Sequence, residues 1–292
     1  MLISLKNDYL SLKVDTWGAQ MMSLTAGDTE YLWQGDEQYW ADRAPTLFPY
    51  IGRLWNNSYC YRGKTYRMSI HGFAASSDFV PTQQGSDFVV LALKSNSTSR
   101  GVFPFDFVLN ISYRLVGSSV EVSYAVRNAG ENTMPFGIGG HPGFRVPIGT
   151  EETFEDYCLE FSEPCHPDRV GFTPDVYLSG TDVAYPLDDD RRIRLRHDLF
   201  DEDAIILKNM CREITLKSSE YFVRVSYPQM AYLGIWHWPK KDAPYVCIEP
   251  WSSLPSRHNV VEDFSCKSDL IHLQPGKTYE NTWTITIGRN HV

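Results

Sequence analysis

No run of apolar residues in this chain is long enough to cross a bilayer, so a membrane-spanning role is not expected. The start, Met1-Leu2-Ile3-Ser4-Leu5-Lys6, has neither the basic region nor the apolar stretch of a secretory signal. Cysteine is sparse: Cys60, Cys158, Cys165, Cys211, Cys247 and Cys266, with no C-x-x-C pair among them. That spacing argues against a zinc ribbon and a thioredoxin-like redox motif. With no leader in view, the cysteines read as reduced, mostly buried thiols of a cytoplasmic protein. Positive charge is short as well, 27 Lys and Arg against 36 Asp and Glu, for a net charge of −9. Such a chain is a poor partner for nucleic acid or an anionic membrane surface. The phosphate-binding glycine loop, the dinucleotide fingerprint, H-E-x-x-H and G-x-S-x-G are all missing. Nucleotide chemistry, zinc proteolysis and serine hydrolysis therefore have no support.

What is present is alternation. Leu10, Leu12 and Val14 alternate with polar neighbours, as do Phe105, Phe107, Leu109, Ile111, Tyr113 and Leu115. Val120, Val122, Tyr124 and Val126 repeat the pattern, and Trp283, Ile285 and Ile287 face away from Thr282, Thr284 and Thr286. A period of two marks half-buried strands. Polar, glycine-bearing breaks such as Gly117-Ser118 separate the ladders. No window carries a helical stripe; short helical turns are expected near 40–43 and 151–154. The pattern predicts an all-β fold, a large antiparallel β-sandwich or barrel with only short helical turns. No linker or repeat interrupts it, so residues 1–292 read as one domain.

The chemistry-bearing stretches stand at the ends of these ladders. Gly139-Gly140-His141-Pro142-Gly143-Phe144 holds an imidazole among three glycines and a proline. Glycine lets a ligand approach closely, and proline stiffens the turn. Ser69-Ile70-His71-Gly72-Phe73 sets a second histidine before a glycine and an aromatic. Histidine is the side chain best poised to move protons near neutral pH. The aromatic segment from Trp33 to Trp40 leads to Pro45-Thr46-Leu47-Phe48-Pro49-Tyr50-Ile51-Gly52-Arg53, which ends on a lone arginine suited to gripping two oxygens. Asp203 stands directly before the apolar run Ala204-Ile205-Ile206-Leu207. Trp236 and Trp238 flank His237; Trp236 offers a flat face to a sugar ring, whereas Trp238 reads as core. Glu249 lies inside the apolar run Val246-Cys247-Ile248 and precedes Pro250. Buried charge without a partner is costly, so this carboxylate needs a reason to be there. A zinc set could be drawn from His71, His141 and Glu249, but no short ligand spacing supports it, and neither metal nor cofactor is expected.

Together these stretches resemble the aldose 1-epimerase, or galactose mutarotase, superfamily, in particular its LacX-type branch. The resemblance rests on Leu47-Phe48-Pro49 with Ile51-Gly52-Arg53, His71-Gly72-Phe73, Gly140-His141-Pro142-Gly143-Phe144, Asp203-Ala204 and Ile248-Glu249-Pro250-Trp251, and spans nearly the whole chain. It implies a one-domain β-sandwich whose sugar-binding cleft interconverts the α and β anomers of a free aldose. It further implies His141 as general acid, Glu249 as general base, and Arg53, His71 and Asp203 as residues that hold the sugar. The chain departs from the better-known galactose mutarotases at Gly52, where they carry asparagine. In related hexose-6-phosphate epimerases added basic residues hold a phosphate, and Arg43, Arg62 and Arg67 lie near the corresponding segment. Anomer exchange removes a proton from the anomeric hydroxyl and delivers one to the ring oxygen, which one carboxylate and one imidazolium can do. A hexose-6-phosphate epimerase and a non-catalytic carbohydrate-binding protein are the alternatives. A glycosidase using Glu249 and Asp203 ranks behind them, because it leaves both histidines without a role. Monomer and homodimer are equally compatible with the sequence.

Overall fold

A computed structural model describes residues 1–290. The longest alternating ladders become its longest strands. Phe107–Val116 and Ser119–Asn128 pair antiparallel along their full lengths, from Phe107 against Asn128 to Val116 against Ser119. They turn through Gly117, whose φ of +56° suits a residue without a side chain. The twelve-residue strand Thr278–Arg289 zips onto the second of them. Along all three, buried residues alternate with wetter ones, as the sequence pattern requires.

These strands form the middle of a nine-stranded antiparallel sheet that runs from Arg192–Arg194 at one edge to Val80–Gln84 at the other. An eight-stranded antiparallel sheet is assembled from shorter pieces, including Thr46–Leu47, Gly139–Gly140, Gly143–Arg145, Ile205–Lys208, Tyr232–Trp236 and Tyr245–Trp251. Smaller sheets complete the molecule, and the parallel ladder Ser58–Tyr61 with Glu262–Asp263 belongs to one of them. Leu109, Val122 and Ile285 of the larger sheet share one buried core with Leu207, Leu233 and Ile248 of the smaller. The fold is thus the expected antiparallel β-sandwich. Fully burying a large apolar side chain contributes about 1.5–3 kcal/mol, whereas an exposed ion pair contributes roughly 0–1 kcal/mol. The core, not surface pairs such as Arg100–Asp106, therefore holds the sheets together.

Helix is confined to short pieces. Ser97–Val102 is capped by Asn96, which accepts from the Ser99 amide while the Ser99 hydroxyl accepts from the Asn96 amide. The turn foreseen near 151–154 forms slightly later, as a 3₁₀ turn at Phe154–Asp156. The one foreseen near 40–43 does not form; the chain instead closes a turn from the Trp40 amide to the Asp36 carbonyl at 2.8 Å. The cysteines are free, but the expectation that most are buried is wrong: Cys247 is buried, Cys266 is exposed and the other four are intermediate. Cys158 opens a strand, and Cys165 and Cys211 lie in connecting segments that stay partly wet.

One strand organises the smaller sheet. Tyr245–Trp251 is buried at every position. Its even-numbered side chains Val246 and Ile248 enter the shared core. Its odd-numbered ones, Tyr245, Cys247, Glu249 and Trp251, face the other way. Gly139 pairs with Trp251 and Gly143 with Cys247, so residue 141, in the break between those two short strands, falls opposite Glu249.

Candidate active site

That register brings the two proton carriers together. His141 Nε2 lies 3.2 Å from Glu249 Oε2, and both side chains are almost fully enclosed. The glycines around His141 have a packing reason. A Cβ on Gly140 would stand 2.6 Å from Trp283 of the opposite sheet, so only glycine lets the loop sit that low. On the other flank, Gly234 pairs with Glu249, and a Cβ there would reach 3.2 Å from the Glu249 Cβ. A bare backbone on both sides leaves the carboxyl the space to face a cleft.

Tyr245 and Cys247 lie in one small apolar cluster, and Trp251 in another. Glu249 is the one ionisable side chain between them that faces the cleft. Trp251 Nε1 donates to Glu249 Oε2 at 3.2 Å. Among the described residues no hydrogen bond ends on Oε1, which leaves that oxygen for a ligand. Burial pushes the Glu249 carboxyl well above the usual carboxylate range; the Trp251 bond opposes this and the Asp203 carboxylate adds to it. Burial also pushes His141 well below the usual imidazole range, with His71 adding to the effect. The pair therefore favours a single shared proton with no net charge separation. The imidazolium and carboxylate that ring opening calls for arise from this form when that proton moves from Glu249 to His141.

Aromatic rings box the imidazole. Trp40 lies tilted over His141 at 4.9 Å between centroids, and Trp236 meets it edge-on at 5.6 Å. His71 stands at right angles to it, also at 5.6 Å. Two successive left-handed residues, His71 with φ +62° and Gly72 with φ +77°, turn the His71 ring into the cleft. The amide of Gly52 donates to His71 Nδ1 at 3.1 Å, which places the ring hydrogen on Nε2. A side chain at Gly52 would strike Pro255 at 2.3 Å, so the asparagine found there in galactose mutarotases has no room here. Burial, and then the charge of Arg53, lower His71 to about 4, so it is a neutral donor near pH 7.

Arg53, His71, His141, Asp203, Trp236 and Glu249 all line one cleft of about 550 Å³, a volume suited to a small ligand. Trp238, read from the sequence as core, is instead 43 % exposed at the cleft mouth. His237 between the two tryptophans is the buried one. It contacts His197 Nδ1 at 3.2 Å and donates from Nδ1 to the Trp238 carbonyl, outside the cleft. Asp201 and Glu202 are exposed, and only Asp203 of that acidic cluster lines the cleft. Trp40 and Trp251 were named in their sequence segments but given no place in the site, and Asp42 and the spacing role of Gly234 were not singled out. Period two from Glu249 points to Trp251, and a glycine inside an apolar strand signals close approach. Arg43, Arg62 and Arg67 do not line the cleft; Arg43 donates to the Met22 carbonyl instead. The donor atoms nearest a metal-binding arrangement among the described residues are on His141, Cys247 and Glu249, within 4.8 Å of one another. His71 is not part of that group. Burial and the Glu249 charge push the Cys247 thiol well up, so this set is a poor fit for an ion as it stands.

Comparison with known proteins gives a consistent result. A family profile described as Aldose 1-epimerase matches residues 1–286. The plasmid-encoded protein LacX of Lactococcus lactis subsp. lactis is 34 % identical over 301 residues, covering 98 % of this chain and 99 % of its own length. The crystal structure of a galactose mutarotase related enzyme from Lactobacillus acidophilus is 32 % identical with a TM-score of 0.94, covering 99 % of this chain and 97 % of its own. A galactose mutarotase-like protein from Lactobacillus casei ATCC 334 is 30 % identical with a TM-score of 0.92, covering 99 % of this chain and all of its own.

Proposed function

The chain belongs to the aldose 1-epimerase family, and from that premise we propose that it interconverts the α and β anomers of a neutral free aldose by acid–base ring opening and closure. The observation that carries this is the 3.2 Å His141–Glu249 contact on the floor of the cleft. In ring opening Glu249 takes the proton of the anomeric hydroxyl while His141 gives one to the ring oxygen. The C1–C2 bond rotates, and the same two groups run backwards to close the ring on its other face. Protons are conserved, and the pair ends as it began. Its resting uncharged form differs from the working form only by moving one proton along an existing contact. Positioned acid–base groups of this kind contribute about 10²–10⁴-fold each.

The other residues hold the sugar. Arg53 and Asp203 reach hydroxyls, His71 donates from Nε2, and Trp236 offers its face to ring C–H groups. Arg53 is the one Lys or Arg among the cleft-lining residues, against Asp42, Asp203 and Glu249. A phosphate dianion would enter a region of net negative charge, which favours a neutral sugar over a hexose 6-phosphate. A binding protein without turnover has no use for a shared-proton pair beneath its ligand. The family match over residues 1–286 supports one domain, and the free cysteines support a reducing cytoplasmic compartment. Among the described residues no helix is long and apolar enough to cross a membrane. The test is a polarimetric screen of hexoses, pentoses and hexose 6-phosphates from freshly dissolved single anomers. Acceleration of neutral aldoses supports the reading; acceleration of the phosphates alone, or of none, contradicts it.

A further inference from the structure

The Trp236-His237-Trp238 stretch holds one residue that the proposed chemistry does not use. His237 is completely buried, yet it lies between two tryptophans that line the cleft. Burial, opposed by its bond to Trp238, lowers it to about 4, so it is neutral near pH 7. Its Nδ1–H donates to the Trp238 carbonyl at 2.8 Å, which leaves Nε2 as an acceptor. His197 Nδ1 stands 3.2 Å from that nitrogen and is therefore the donor. Phe154 stacks on His197 at 3.9 Å between centroids, and Phe200 packs on His237 at 4.2 Å. Two apolar side chains would fill the same space with no polar group to satisfy. The paired imidazoles need a further reason to be there.

The reason lies in what each histidine is attached to. His197 opens the 3₁₀ turn His197–Phe200, and the Phe200 carbonyl accepts from the Asp203 amide at 3.0 Å. His237 follows the strand Tyr232–Trp236 and opens the loop 237–244. The strands Ile205–Lys208 and Tyr232–Trp236 pair antiparallel, and their ladder ends at Ile205 against Ile235. Asp203, Trp236 and Trp238 all stand beyond that last pair. Chain ends past the last rung of a ladder open at little cost. The His197–His237 bond crosses between the two segments at this place. On the loop side Tyr245 adds a second hold, because its hydroxyl accepts from the Trp238 amide at 3.1 Å. Trp238 is thus fixed at both its amide and its carbonyl.

We propose that His197 and His237 are positioning residues, whose mutual hydrogen bond keeps the Trp238 loop and the Asp203 turn in one sugar-binding arrangement. Neither touches the sugar or moves its protons. This rests on the epimerase reading, because the cleft residues they position are the ones assigned there. With the bond gone, the binding arrangement is populated only part of the time, and apparent affinity falls by that fraction. Chemistry at His141 and Glu249 is unaffected once the sugar is bound, so KM should rise while kcat holds.

The test uses two substitutions at His197, which is only half-buried. H197F keeps the stack on Phe154 and removes the donor. H197N keeps a donor, because the asparagine amide takes the place of Nδ1. The expected result for the best neutral aldose is a KM raised about fivefold in H197F, as the loss of one ordinary hydrogen bond implies, with kcat within about twofold of the wild type. H197N should restore both. An unchanged KM in H197F, or an H197N as impaired as H197F, would overturn the proposal. Hydrogen exchange reads the tie with no sugar present. Faster exchange across residues 198–204 and 236–243 in H197F, restored in H197N, supports the tie whether or not the protein turns sugars over; wild-type exchange in H197F overturns it. Failure of the epimerase reading shows separately, as a wild type that accelerates no aldose.

Discussion

The two large sheets obey different rules. In the nine-stranded sheet one face is dry and one is wet, and Phe107–Val116, Ser119–Asn128 and Thr278–Arg289 alternate accordingly. In the eight-stranded sheet Tyr245–Trp251 is dry on both faces, yet the faces are unlike. One packs Val246 and Ile248 into the core; the other presents Glu249 between two apolar clusters. The first sheet spends its residues on burial. The second gives up length, regularity and side-chain volume at Gly140 and Gly234 so that one carboxyl and one imidazole can meet out of water. Stability and chemistry are thus divided between the sheets, and substitutions should separate them.

The largest effect is expected at the contact between the sheets. Trp283→Ala removes a buried ring from beneath Gly140 and should cost about 3–5 kcal/mol in denaturant unfolding. A loss below about 0.5 kcal/mol, the usual range for surface changes, would mean the larger sheet is not the stability frame. Acid should act next, and mainly through the smaller sheet. Burial holds His71 and His237 at about 4, and His141 is also lowered. The unfolded chain binds these protons near pH 6.5, whereas the native chain refuses them until lower pH. Their contribution to stability is therefore complete above about pH 6.5 and is lost as pH falls towards 4. Denaturant midpoints at pH 7 and pH 5 should show this fall, and His237→Asn should shrink it.

Gly234→Ala sharpens the contrast further. Its methyl would stand 3.2 Å from the Glu249 Cβ and 3.3 Å from Ile206 and Trp251. Overpacking typically costs about 1–3 kcal/mol, and the low end is expected here because the contacts are tight rather than clashing. Turnover should fall more than stability, as read by mutarotation rate beside the thermal midpoint. Thr282→Ala, on the wet face of the larger sheet, should change stability by less than about 0.5 kcal/mol and leave activity alone.

The same contrast explains what the sequence disclosed. Alternation is visible wherever one face meets water, so the ladders around Leu109, Val122 and Ile285 announced the sandwich directly. Glu249 was visible for the opposite reason, as a charge inside an apolar run. His71 and His141 were marked by the glycines that their backbone geometry and close packing need. Trp238 misled because an aromatic beside strand residues usually packs inward, and here the strand has already ended at Trp236. Gly234 and Asp42 left little local trace. Their roles arise from contacts between residues far apart in the chain, which no short window contains.

The most direct test of the central claim is the pH profile of mutarotation on the best neutral aldose, for the wild type, Glu249→Gln and His141→Asn. The active pair holds one titratable proton. The wild-type rate should therefore fall on the acid side, where the pair gains a second proton, and on the alkaline side, where it loses the one it has. Each variant should turn over about 10²-fold more slowly or worse, with sugar affinity within a few-fold of the wild type, because the missing group acts in the transition state. Wild-type rates in both variants would show that the His141–Glu249 contact is structural and that the chemistry lies elsewhere.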